Sequence, residues 1–131
     1  MNLYVDTAAS RPLYLQIMDE VRRLIAIGEL VAEDAMPSVR QLASDLRINH
    51  NTIAQAYREL EREGIVYVRR GQGTFVAPRA TAEDQRARLA IDVAERAILD
   101  AHRHGLDVRE LILAIEQAAT ARREKPAREP V

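Results

Sequence analysis

The sequence contains no cysteine in 131 residues. That excludes disulfides, thiolate metal sites and a thiol nucleophile, and it fits a reducing compartment. There is no tryptophan and one phenylalanine, so a core drawn from its 47% apolar residues must be mostly aliphatic. No apolar run is long enough for a membrane span. The opening stretch MNLYVDTAASRPLYL lacks the basic segment and apolar run of a signal peptide. A cytoplasmic chain with no membrane partner is expected. G-x-S-x-G, a phosphate-binding glycine loop and a zinc motif are also missing, so neither an enzyme nor a cofactor is expected. The many carboxylates lie on charged helical faces, where ion pairing is their ordinary use. His102 and His104 have Asp100 and Asp107 nearby. Histidines two apart on a helix point to different sides, and no third strong ligand has the spacing, so no metal site is expected.

Charge of one sign is also lacking, since the net charge is -1. Its distribution says more than its sum. Residues 1–35 carry three arginines against six acids, a balance of -3, whereas residues 36–78 carry six arginines against four acids, a balance of +2. The excess is modest. Attraction to phosphate per chain is therefore limited, and a dimer would double it.

Several periodic segments are present. Residues 2–5 could form a short strand. Pro12 suits a helix start, and Leu13, Ile17, Val21, Leu24 and Ile25 then recur at helical spacing, with Asp19, Glu20, Arg22 and Arg23 mainly on the other side. Gly28 is a stop signal, and residues 29–36 read as a connector. A short helix follows Pro37-Ser38, with Val39, Leu42, Ala43 and Leu46 on its apolar side. Arg47-Ile48-Asn49 is a turn, and Asn49 is a natural cap for the next helix, residues 50–63. That helix places Ile53, Ala56, Tyr57 and Leu60 on one face. Gly64 ends it. Residues 65–68 and 74–77 are β-like runs around Arg69-Arg70-Gly71-Gln72-Gly73, a hairpin signature.

Two helices, a tight turn and a hairpin with a basic, glycine-bearing tip spell a winged helix-turn-helix, which places its second helix in the major groove of DNA. Asn51 and Gln55 have the paired donor and acceptor that read adenine, Thr52 can bond phosphate or base, and His50 can reach an acceptor or a phosphate. Arg40 could grip a phosphate or reach a guanine. Arg69 and Arg70 flank the wing, whose glycines let the backbone approach the sugar-phosphate chain. Taken singly, these features have plainer readings. Asn-x-Asn-Thr after a turn is a helix cap, Arg-Arg before Gly-x-Gly is a solvated hairpin tip, and Tyr57 is a packing residue with its hydroxyl at the rim. Their conjunction, in order and at short spacing, favours DNA over the alternative of a protein-binding scaffold.

The chain resembles the GntR family of bacterial transcription regulators. Pro37-Ser38-Val39-Arg40-Gln41-Leu42-Ala43 is similar to its P-S-x-R-x-L-A element. Asn49-His50-Asn51-Thr52-Ile53 with Ala56-Tyr57-Arg58-Glu59-Leu60-Glu61 is similar to its recognition helix. Glu63-Gly64-Ile65 and Gly71-Gln72-Gly73-Thr74-Phe75-Val76 are similar to its wing, and Pro12-Leu13-Tyr14-Leu15-Gln16-Ile17 also fits. The resemblance spans about residues 12–77. It implies a homodimer on pseudo-palindromic double-stranded operator DNA. It also implies DNA contacts at Ser38, Arg40, Asn49, His50, Asn51, Thr52, Arg70, Gly71, Gln72 and Gly73. There are three departures. Glu33 stands where a turn glycine is common. Arg47 takes a turn position often held by glycine, so it needs a positive φ or a remodelled turn, or else it adds a phosphate contact. His50 replaces a frequent proline or arginine.

Beyond a linker at residues 77–81, residues 82–104 read as a helix with Leu89, Val93, Ala97 and Ala101 in one stripe. Asp107 and Glu110 form a capping-box start for a helix over residues 108–123, with Leu111, Ile112, Ile115, Ala118 and Ala119 on its apolar face. A hairpin this small cannot bury its apolar faces alone, and pairing with a second copy is the natural solution. Its size resembles the YtrA-type subfamily, whose members often regulate transport operons. The expected fold class is α+β, mostly α: a winged helix-turn-helix at residues 1–78, a two-helix dimerisation hairpin at 79–123 and a disordered tail at 124–131. The expected function is a homodimeric repressor of a transport-related operon, with a small-molecule effector left open.

Overall fold

The computed structural model describes residues 1–124. The chain divides into two compact units, Met1–Leu89 and a second that starts at Ala90.

In the first unit α1 (Leu13–Ala26) follows Pro12, and its apolar stripe is sealed, with Ile17, Val21, Leu24 and Ile25 all at most 1% exposed. Gly28, at φ +82°, turns the chain out of the helix. α2 (Val39–Leu46) is capped by Ser38, whose Oγ accepts the Gln41 N–H at 3.0 Å. Arg47 takes the positive φ that its turn demands, +55°. Asn49 then caps α3 (His50–Arg62) by accepting the Asn51 N–H at 2.7 Å. Ile53, Ala56, Tyr57 and Leu60 of α3 are buried in one aliphatic cluster with the α1 stripe. Gly64, at φ +75°, leads into β1 (Val66–Arg69), which pairs antiparallel with β2 (Gly73–Val76). The register is Val66 with Val76, Tyr67 with Phe75, Val68 with Thr74 and Arg69 with Gly73.

Two segments depart from the sequence reading. The connector is more than a linker. Ala35 bridges Phe75, the Glu33 and Met36 N–H groups donate to the Val76 and Thr74 carbonyls at 2.8 Å each, and the Val76 N–H donates to Asp34 at 2.9 Å. It thus satisfies the outer backbone groups of β2, which would otherwise form an open edge. Residues 2–5 are not a strand. The Tyr4 and Asp6 N–H groups donate to Glu20 Oε2 and Gln16 Oε1 of α1 at 3.0 and 2.7 Å, while Leu3 and Val5 pack on the core.

α4 (Ala82–Arg103) starts in the first unit, where Thr81 Oγ1 accepts the Asp84 N–H at 3.1 Å and Gln85 is buried. It ends in the second unit. There Gly105, at φ +77°, makes the turn, and Asp107 and Glu110 exchange capping bonds of 2.8 and 3.2 Å ahead of α5 (Val108–Glu124). α5 has no buried residue. Val93, Leu99, Ile112, Leu113 and Ile115 are all at least half exposed. α5 runs through Glu124, the first residue of the expected tail. The rest of that tail, residues 125–131, lies outside the described residues. Among the described residues no helix is long and apolar enough to cross a membrane.

Candidate nucleic-acid interface

The apolar face of α3 faces α1, so its other face is free. His50, Asn51 and Gln55 are exposed and Thr52 is half-buried. Asn51 and Gln55 stand one helical turn apart and share a strip. Arg58, three residues beyond Gln55 and also exposed, continues that strip with a cation the sequence reading did not single out. The first turn of α3 also presents backbone N–H groups and the positive end of the helix dipole, which suit a phosphate. Ser38 and Asn49 have a double capacity. Each spends a side-chain oxygen on capping. Each keeps a donor, the Ser38 hydroxyl hydrogen and the Asn49 amide, for an acceptor outside. Arg40, in the first turn of α2, is exposed and has no ion pair among the described residues.

α3 is fixed from below at its middle and at its C-terminal end. The Tyr57 hydroxyl donates to the Pro37 carbonyl at 2.7 Å, tying α3 to the start of α2. Burial pushes its pKa well above the ordinary phenol value, so it remains a donor. At the C-terminal end Arg22 of α1 reaches both carboxylate oxygens of Glu63 at 2.7 Å, and Arg88 of α4 reaches Oε1 at 3.0 Å. The sequence reading put Arg22 on the solvent side of α1. It is in fact buried, 6% exposed, because its partner sits at the end of α3. A partner 41 residues away left no local signal.

The wing separates its two arginines. Arg70 is exposed at the tip, beside Gly71 and Gln72, and Gly71 (φ +76°) and Gly73 (φ +116°) have open space where a Cβ would stand. Arg69 lies on the same face as Tyr67 and Phe75. Its guanidinium is 3.9 Å from the Phe75 ring centre, its Nε donates to the Tyr67 oxygen at 2.8 Å, and its Nη2 pairs with Glu33. The Tyr67 hydroxyl, followed by Arg69, holds the Glu33 carboxyl below its ordinary pKa. The sequence-predicted residues thus fall into three places: the α2 start (Ser38, Arg40), the α3 start (Asn49, His50, Asn51, Thr52, Gln55) and the wing (Arg69, Arg70, Gly71, Gln72, Gly73).

The family model of bacterial regulatory proteins, gntR family, matches residues 13–76. An HTH-type regulator of Bacillus subtilis, YhcF, is 39% identical, covering 82% of this chain and 90% of that one. The HTH-type transcriptional repressor YtrA of the same organism is 35% identical over 83% and 85%. Among solved structures, a GntR family transcriptional regulator from Listeria monocytogenes superimposes with a TM-score of 0.66 at 31% identity, covering 86% of this chain and 98% of that one. The DNA-binding domain of AraR, solved in complex with its operator ORX1, superimposes with a TM-score of 0.51 at 26% identity over 59% and 96%.

Proposed function

The chain belongs to the GntR family of DNA-binding transcription regulators, with YtrA-type proteins among its relatives, and from that premise we propose that it is a homodimeric repressor of a transport-related operon. The observation that carries the DNA assignment is the exposed polar start of α3, capped by Asn49 and supported by the α1 core. In this reading Asn51 and Gln55 read base edges, and Arg40 reaches a guanine or a phosphate. Ser38, Asn49, His50 and Thr52 contact the backbone or adjacent bases, and Arg70, Gly71, Gln72 and Gly73 lie on the sugar-phosphate chain. Repression follows the relatives named as repressors, and the transport operon follows the resemblance to the YtrA type. The dimer rests on the exposed apolar side chains of α4 and α5, which a second copy would cover, and on the need for two modules to read two half-sites. An effector, in this reading, binds at the dimer interface, because two helices per chain enclose little volume themselves.

The test is fluorescence anisotropy of the protein on the duplex upstream of its own gene, with a scrambled duplex as competitor, over a salt series. Competitor-resistant binding of two chains per duplex is the expected result. Equal, weak and salt-erased binding to both duplexes would leave either a missing effector or a protein-binding scaffold.

A further inference from the structure

The connector ahead of α2 carries an acid where the backbone suits glycine. Glu33 stands at φ +73°, in the left-handed region that side chains rarely occupy. Its N–H is held by the Val76 carbonyl at 2.8 Å. Its carboxylate takes both the Tyr67 hydroxyl and the Arg69 guanidinium. Gly73, opposite Arg69 in the register, presents no side chain, which leaves the guanidinium room to lie toward the diagonal neighbour Phe75. Arg69 is thus bonded at Nε and Nη2 and has one face covered by a ring. Arg70, the next residue, lies beyond the strand in the turn at the tip, where it is exposed and has no ion pair among the described residues.

We propose that Glu33 is a positioning residue for the wing: it neutralises Arg69 and holds it flat on Phe75, so that the hairpin keeps one shape and Arg70 is the wing arginine that meets phosphate. This rests on the DNA reading above and adds a division of labour within the wing. The charge count of the hairpin then overstates its phosphate contacts, because one of its two cations is spent on an acid from a segment 36 residues earlier.

The experiment is the salt dependence of binding to the upstream duplex by the full chain and four variants. Arg70→Ala is expected to lower the slope of log affinity against log salt by about 0.9 per chain, the share of one phosphate contact. Arg69→Met keeps a stem on Phe75 and is expected to leave the slope unchanged. Glu33→Gly fits the left-handed backbone, and it is expected to steepen the slope by about 0.9 per chain as Arg69 is released to phosphate. In the Arg69→Met background the same Glu33→Gly change is expected to do nothing to the slope, which separates release of Arg69 from simple removal of a repelling charge. A drop with Arg69→Met as large as that with Arg70→Ala would overturn the proposal, as would an equal Glu33→Gly effect in both backgrounds. Absence of salt-dependent binding by the unmodified protein is a different failure. It would remove the DNA reading and this proposal together.

Discussion

In the proposed reading Arg40 and Arg70 bring the same charge to DNA but act differently there. Arg40 stands in the first turn of α2; if it reaches a base as proposed, Arg40→Ala should weaken binding by roughly 1–3 kcal/mol and relax preference at one operator position. Arg70 sits exposed at the wing tip, and Arg70→Ala should weaken all duplexes alike. A competition series against single-base operator variants separates the two. Unchanged affinity in both would sink these roles. Glu33 adds a dependence on pH. Its folded pKa is lowered by Tyr67 and Arg69. The clamp is therefore complete above the ordinary carboxylate pKa and is lost as the pH falls through the lowered one. Wing amide shifts followed by NMR should show an acid-side transition in the native protein, and Glu33→Gln should abolish it. A transition that survives this change belongs to another carboxylate. Of these residues the sequence disclosed the polar start of α3 and the wing arginines, because caps and hairpin tips are local signals. It could not disclose that Glu33 engages Arg69, since that pairing exists only once the connector lies along β2.

At the scale of elements, period and punctuation carried the reading. Apolar residues every three or four positions marked α1 and α3, while Gly28, Gly64 and Gly105 marked the exits. The failures lay where long-range partners decided. Leu3-Tyr4-Val5 has strand composition, but α1 side chains take the N–H groups of Tyr4 and of Asp6 just beyond the segment. Arg22 looks solvent-facing on a wheel, yet it is the buried tie between α1 and the end of α3. Arg22→Ala should cost roughly 2–3 kcal/mol, somewhat below the value for a fully buried pair because Glu63 retains Arg88 and some solvent. Denaturant unfolding measures it, and a loss under about 0.5 kcal/mol would show that the tie is dispensable. The turn between α2 and α3 offers a test of opposite sign. Arg47 occupies a left-handed position at φ +55°, so Arg47→Gly should raise stability by up to about 1 kcal/mol. If its guanidinium also touches phosphate, the salt slope falls at the same time, which separates the two readings of this turn.

For the whole molecule the decisive quantity is the apolar surface that one chain leaves uncovered. α5 contributes nothing to a core of its own chain, and Ile112, Leu113 and Ile115 remain at least half exposed. An exposed apolar face of this kind marks a surface for a partner, and the proposed second copy would cover it. Placing glutamates at Ile112 and Ile115 should therefore halve the sedimenting mass and leave the first unit folded, because none of its core residues lies on α5. The consequence for DNA follows from counting phosphates. A dimer neutralises two sets in one binding event and a monomer one, so the slope of log affinity against log salt should fall to about half. Affinity for a full site should drop by roughly a hundredfold or more, because the second half-site no longer benefits from the effective concentration that the dimer provides. Affinity for a single half-site should hardly change, since α2, α3 and the wing are untouched. A variant that still sediments as a dimer would place the interface elsewhere. A variant that dissociates yet keeps the full slope would mean that one chain carries the whole footprint, and the two-module reading of the operator would fall.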